Sequence, residues 1–194
     1  MRLLTLGKKF HNSQMINNPQ IPAGIFHDTE IFVRDNKLHA LHNGKRIDYN
    51  ELPFAIRKAY TELYLSDSDI GKGLDLMGIT NEDDRIYQTI VCNSGGFDKK
   101  ADFERGHINR EFWNCGKWEN CPGFGKVCKV PAKLSRKELL IAVDIYKGLP
   151  DKQTAPKNGI EHNTLRTHIR RINDKINAHC RADLVQWVKN NILL

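Results

Sequence analysis

Between Glu30 and Asn50, the apolar residues Ile31, Val33 and Leu41 stand amid polar neighbours. Turn-forming residues interrupt this pattern at Arg34–Lys37 and again at Asn43–Gly44. Pairs such as Asn-Gly favour the tight turns that join antiparallel strands. The segment is therefore predicted to form a β-meander of about three short strands.

Helical spacing of the apolar residues replaces this alternation from Glu51 onward. Asn81 precedes an acidic first turn and is predicted to cap a helix, because its side chain can accept a bond from a free N–H. The segment that follows, Asn93–Val130, is rich in glycine and has no period. Three helices are predicted before it, at residues 51–65, from about Ser66 to before Gly78, and at residues 81–91.

The pattern is helical throughout the last third of the chain. Ser135 and Glu138 have the spacing of a capping box, in which each side chain bonds the backbone N–H of the other residue. Four helices are predicted: one between Ser135 and Gly148, one between Asp151 and Gly159, one at Glu161–Lys175 and one from Arg181 to about Asn191. We therefore predict an α+β domain with a cysteine-rich loop over residues 1–130, and an all-α domain over residues 131–194.

Composition indicates a globular protein, with 40% hydrophobic and 27% charged residues. The longest uncharged apolar run, Leu139–Val143, is far shorter than the roughly 18 residues that span a bilayer. Met1–Phe10 lacks the long apolar region of a signal peptide. We therefore expect a cytoplasmic protein with no membrane partner.

Positive charge is concentrated at the C-terminal end. The chain has 30 basic and 23 acidic residues, and 12 basic against 6 acidic residues lie from Lys133 onward. Nearly all of the net charge of +7 therefore belongs to the helical domain. Such asymmetry favours a polyanionic partner, although it is also compatible with a merely solvated basic surface.

The third helix of this domain has two distinct faces. At 100° per residue, its apolar residues form one narrow stripe, which comprises Leu165, Ile169, Ile172 and Ile176. The opposite side carries Asn163, Arg166, Thr167, Arg170 and Arg171. Arginine can bind guanine with two hydrogen bonds and asparagine can bind adenine, so this face suits the major groove of double-stranded DNA. A second helix precedes it through a short turn, as in a helix-turn-helix.

Residues 134–188 resemble the LuxR/GerE-type helix-turn-helix domain, with matching order and spacing. The matching residues are Leu134–Glu138, Gly148–Leu149, Asp151–Gln153, Ala155, Gly159–Ile160, Asn163–His168, Ile172, Lys175–Ile176 and Arg181–Val185. The resemblance implies a four-helix domain whose third helix enters the major groove. It also implies that the fourth helix pairs two subunits. Leu184, Trp187 and Val188 are the candidate interface residues, and a core role is an equal alternative for Trp187.

The predicted function is sequence-specific DNA binding by a transcription regulator, not catalysis. The recognition helix covers about 161–175, and the predicted contacts are Asn163, Thr164, Arg166, Thr167, Arg170 and Arg171. Neither a Walker loop nor a dinucleotide fingerprint is present in the sequence. The second helix departs from the family pattern at Thr154, Pro156 and Asn158. These departures leave an alternative open, in which the domain binds a protein partner and no longer reads DNA.

Four cysteines are grouped in the first part of the chain, at Cys92, Cys115, Cys121 and Cys128, whereas Cys180 stands apart. Four thiolates can form a closed tetrahedral zinc site, with His107 as a possible substitute ligand. Reduced cysteines packed among aromatic residues are an equal alternative, and an iron–sulfur cluster is a third. A structural zinc site is therefore one of three arrangements that the sequence leaves open for these thiols.

Overall fold

The computed structural model of the protein describes residues 23–25 and 28–192. Met1–Phe10, which was compared above with a signal peptide, lies outside these residues, as does the beginning of the predicted first domain.

Three antiparallel strands form the predicted meander: β1 (Thr29–Arg34), β2 (Lys37–His42) and β3 (Lys45–Asp48). In the turn between β1 and β2, Asp35 and Asn36 have φ angles of 53° and 59°. Asn43 and Gly44 have φ angles of 48° and 73° in the next turn. Two successive positive φ angles match the right-handed twist of a hairpin, so the turn residues fix the register of both strand pairs.

Two further strands, β4 (Phe103–Glu104) and β5 (His107–Ile108), extend this sheet. The order is β3-β2-β1-β4-β5, and every pairing is antiparallel. Strands β4 and β5 were not predicted, because two residues cannot show an alternation of apolar and polar positions. The turn between them, in which Arg105 and Gly106 both have positive φ, is marked in the sequence only by its glycine.

Three helices follow the meander: α1 (Phe54–Ser66), α2 (Ser68–Leu76) and α3 (Glu82–Asn93). Asn81 caps α3 as predicted, with its Oδ1 accepting from the N–H of Asp84 at 3.1 Å. The first helix begins later than predicted, because residues 49–51 form a 3₁₀ turn. Residues of the sheet, α1 and α3 share one buried core, which includes Ile31, Leu38, Ala40, Ile56, Tyr60 and Ile90.

The C-terminal helices are α4 (Arg136–Tyr146), α5 (Asp151–Lys157), α6 (His162–Ile176) and α7 (Arg181–Asn191). The predicted capping box is present. Ser135 N–H donates to Glu138 Oε2 at 2.7 Å, and Glu138 N–H donates to Ser135 Oγ at 3.3 Å. Pro150 takes the capping position of α5, and Asp151 is its first helical residue.

The apolar core of these helices extends across the predicted boundary at residue 130. Phe112 and Trp118, which precede it, are buried in the same cluster as Leu139, Leu165 and Leu184. The loop between β5 and α4 therefore packs with the C-terminal helices. The boundary itself stays a prediction.

Three carboxyl groups lie where β1 meets the loop after α3: Glu30 and Asp102 are buried and Glu111 is half-buried. Burial raises the pKa of Glu30 to about 8 and that of Glu111 to about 7. Burial also raises the pKa of Asp102, and the charges of Glu111 and Glu30 add to this effect. The Asp102 carboxylate accepts from Ile31 N–H at 2.7 Å, and Glu30 Oε1 accepts from Asp98 N–H at 2.8 Å. Asp102 and Glu30 therefore bind β1 to the loop that follows α3.

We expect the free energy of unfolding to fall as pH rises from about 4.5 to about 8. Above the ordinary pKa of glutamic acid the unfolded chain loses these protons, whereas the folded chain keeps them until its own raised pKa is passed. The unfolded state then binds fewer protons, so stability decreases through this window. Denaturant titrations across the window would measure the slope.

Glu111→Gln should flatten this slope, because it removes one of the titrating groups and keeps an acceptor for Gly96 N–H. Glu119→Gln, at an exposed position, is the matched control. An equal slope in Glu111→Gln and in the unmodified chain would contradict the assignment of Glu111 as a group with a raised pKa.

Candidate nucleic-acid interface

Helix α6 is held by the apolar stripe that the sequence analysis predicted. Leu165 and Ile172 are fully buried, and Ile169 and Ile176 are partly buried against the same core. Because this stripe fixes the rotation of the helix about its axis, the residues opposite it must face outward.

All six residues predicted to contact DNA are exposed on α6. They are Asn163, Thr164, Arg166, Thr167, Arg170 and Arg171. Among the described residues, the ion pairs of the C-terminal helices are Lys157–Asp144, Lys175–Glu138 and Arg181–Asp151. None of these pairs uses an arginine of α6, so three guanidinium groups face solvent without an acidic partner in this part of the chain.

Thr167 differs from its neighbours because its hydroxyl is already engaged. Thr167 Oγ1 donates to the carbonyl of Asn163 at 3.1 Å. Its outward features are therefore a methyl group and the lone pairs of the hydroxyl oxygen. These features suit contact with a thymine methyl more than donation to a phosphate.

The C-terminal end of α6 is anchored to the start of α4. Lys175 Nζ donates to Glu138 Oε2 at 2.6 Å and to the carbonyl of Lys133 at 3.2 Å. Burial opposes ionisation of Glu138, but the bonds from Lys175 and Ser135 outweigh it and lower its pKa. Lys175, although basic and on the recognition helix, therefore serves to position the helix.

A buried acid of α4, Asp144, anchors the end of α5. Asn158 Nδ2 donates to Asp144 Oδ2 at 2.8 Å, and Lys157 Nζ bonds the other carboxylate oxygen. From the sequence, Asn158 was only a departure from the family pattern. The structure gives Asn158 a role, since an apolar side chain there would leave Asp144 one partner short. Sequence reasoning missed Asp144, whose only signal is an acid among the apolar neighbours Val143 and Ile145.

The other two departures are also accommodated in α5. Thr154 is fully buried and its hydroxyl donates to the carbonyl of Pro150 at 3.1 Å, which satisfies the only polar group it buries. Pro156 lies in the last turn of this seven-residue helix and is exposed. Gly159 then turns the chain at a φ of 63°, and Ile160 joins the core that holds α6.

Two of the three predicted interface residues of α7 are buried within the chain. Leu184 and Val188 are fully buried in the core of the same chain, and Trp187 is partly buried against it. The assignment of Leu184 and Val188 as interface residues is therefore wrong. They follow the apolar period of α7, and that period serves packing within the chain.

Residues 132–188 match the family model GerE, described as bacterial regulatory proteins, luxR family. This part of the chain is a luxR-family domain. The match confirms the resemblance and covers α4, α5, α6 and most of α7. A domain of this family indicates a DNA-binding transcription regulator. No curated protein and no solved structure matches the chain.

The luxR-family domain contains every residue of the predicted DNA contact, whereas the four grouped cysteines lie before it. Burial raises the pKa of Cys92 to about 12, and the charges of Cys128, Cys121 and Cys115 add to this effect. Burial also raises the pKa of Cys128. In the described part of the chain, no three His, Cys, Asp or Glu side chains are placed so that they could hold a metal ion as they stand.

His107, considered as a substitute ligand, is exposed on β5. Cys180 is exposed and caps α7. Among the described residues, no helix is both long enough and apolar enough to cross a membrane.

We expect Asn158→Ala to lower the free energy of unfolding by about 1–3 kcal/mol, because it removes one of the bonds to a buried carboxylate. Urea denaturation would measure the change. Asn190→Ala, at an exposed position of α7, is the control and should have little effect. Equal stability of the two variants would show that Asp144 does not depend on Asn158.

Proposed function

We propose that the protein is a transcription regulator that binds double-stranded DNA sequence-specifically by placing α6 in the major groove. The observation that carries the proposal is the exposed row of Asn163, Arg166 and Arg170 opposite a buried stripe, within a luxR-family domain. The four helices α4 to α7 act as one binding unit in this proposal.

The side chains of α6 divide by their chemistry. Arg166 and Arg170 lie one helical turn apart and carry planar guanidinium groups, which can bind guanine or two phosphate oxygens. Asn163 lies one turn before Arg166 and can bind adenine. Thr164 and Arg171 lie together on one side of this row and are assigned to the phosphate backbone, which sets the position of the helix without reading sequence.

Pairing of two chains through α7 remains part of the proposal, with a different set of residues. The core leaves Ala182, Gln186 and Lys189 exposed at helical spacing, and Val185 partly exposed among them. A homodimer would therefore use this mostly polar side of α7.

We expect the mass of the complex on a two-fold symmetric DNA site to correspond to two chains, as measured by light scattering after size-exclusion chromatography. One chain per site would contradict pairing and leave DNA binding intact.

Arg166→Ala and Arg170→Ala should each weaken DNA binding by about 1–3 kcal/mol, which is about 5- to 150-fold in Kd. The measurement is fluorescence anisotropy with a duplex selected from a random pool. Affinity should also fall with rising salt, because phosphate contacts release counterions.

Lys147→Ala is the matched control. It removes one positive charge at the exposed C-terminal end of α4, away from the residues proposed to bind DNA or to pair two chains. Unchanged affinity in both arginine variants, with both folded, would rule out the assignment of α6. No DNA binding by the folded wild-type chain would instead favour the alternative function, in which these helices bind a protein partner.

A further inference from the structure

The fold brings four thiols that are distant in sequence into one neighbourhood. Cys92 lies in the last turn of α3, and Cys115, Cys121 and Cys128 lie in the loop before α4. Cys92 packs against the cluster that contains Val127, the residue before Cys128, and Cys115 and Cys128 pack against one neighbouring core. All four are unoxidised and partly buried, whereas Cys180 is exposed.

Hydrogen bonds on both sides of Cys92 hold the loop against α3. Asn93 Nδ2 donates to the carbonyl of Val127 at 3.0 Å, which fixes the residue before Cys128. Trp113 Nε1 donates to the carbonyl of Val91 at 2.7 Å, which fixes the segment before Cys115. The loop is therefore held beside Cys92 by hydrogen bonds that do not involve the thiols.

Tight turns accompany two of the loop thiols. Gly116 follows Cys115 with a φ of 69°, and Gly125 precedes Cys128 with a φ of 73°. The N–H of Gly125 points to Cys128 Sγ at 3.4 Å. This N–H is placed to donate to a metal-bound thiolate at Cys128.

Residues 109–130 contain neither helix nor strand, although the structure describes all of them. Irregular segments longer than about 12–15 residues are uncommon in compact domains unless something else orders them. Phe112, Trp118 and Val127 are the buried apolar residues of this segment, and they point into two different cores. The segment thus lacks a core of its own.

We propose that Cys92, Cys115, Cys121 and Cys128 bind one zinc ion as a structural site. Four thiolates in tetrahedral array are a common zinc ligand set, and they match the number of thiols that converge here. The thiols as they stand do not form a metal-binding group. Binding therefore requires rotation of cysteine side chains between staggered positions, while the backbone keeps its place.

The proposed site adjoins the luxR-family domain. The Arg136 guanidinium, in the first turn of α4, donates to the carbonyl of Cys121 and lies 5.0 Å from the centre of the Phe124 ring. Cys115 and Cys128 also pack against the core of the C-terminal helices. An ion at this place would therefore order the loop on which α4 rests.

The test begins with the zinc content of the purified full chain, measured by inductively coupled plasma mass spectrometry. We expect about one zinc ion per chain in the wild-type protein and in Cys180→Ser, which is the matched control. We expect its loss in Cys92→Ser and in Cys128→Ser. Retention of zinc in these two variants, or its loss in Cys180→Ser as well, would overturn the proposal.

A second measurement uses the unmodified chain, because a serine in this loop can also disrupt folding. Cobalt(II) added to the metal-free chain should give the intense visible absorption of tetrahedral thiolate coordination. With zinc bound, Cys180 alone should react rapidly with a thiol reagent, and all five cysteines should react after chelation. The absence of a cobalt spectrum, an iron–sulfur chromophore, or equal thiol reactivity with and without chelator would each overturn the proposal.

Discussion

Burial of a narrow apolar stripe on α6 is the constraint on which the C-terminal half depends. Leu165 and Ile172 are fully buried against a core shared with α4 and α7. Burial of a side chain of this size contributes about 1.5–3 kcal/mol, whereas rotation of the helix would expose both residues and bury arginine. Packing therefore decides which side chains face outward, and the proposed chemistry of recognition is a consequence of that choice.

Elements in which an apolar pattern repeats over many residues, or which have a defined turn or cap, could be predicted from the sequence. The three-stranded meander, the Asn81 and Ser135 caps and the exposed face of α6 all depend on residues close together in the chain. The strands β4 and β5 could not be predicted, since two residues carry no alternation and Phe103 pairs with the distant Thr29. The sequence also could not assign the apolar side of α7, because a core and a subunit interface require the same period.

Polar anchors between helices were the other feature hidden from the sequence. Asp144 holds Asn158 and Lys157, and Glu138 holds Lys175. Both acids are nearly fully buried, and each ties the end of a helix of the helix-turn-helix to α4. These bonds are made between side chains 13 or more residues apart, so only the fold brings them together. The bond between Asn158 and Asp144 explains why a polar residue at the end of α5 is compatible with good packing.

Continuity of the core across residue 130 has a consequence for the modularity of the protein. Phe112 and Trp118 are 4% exposed in the same cluster as Leu139 and Leu184, so the loop supplies part of the interior of the luxR-family region. A fragment that begins at residue 131 would leave an apolar depression where these rings sit. A fragment cut at the start of the luxR-family match would therefore lack part of its core. A fragment designed to fold by itself must include the preceding loop.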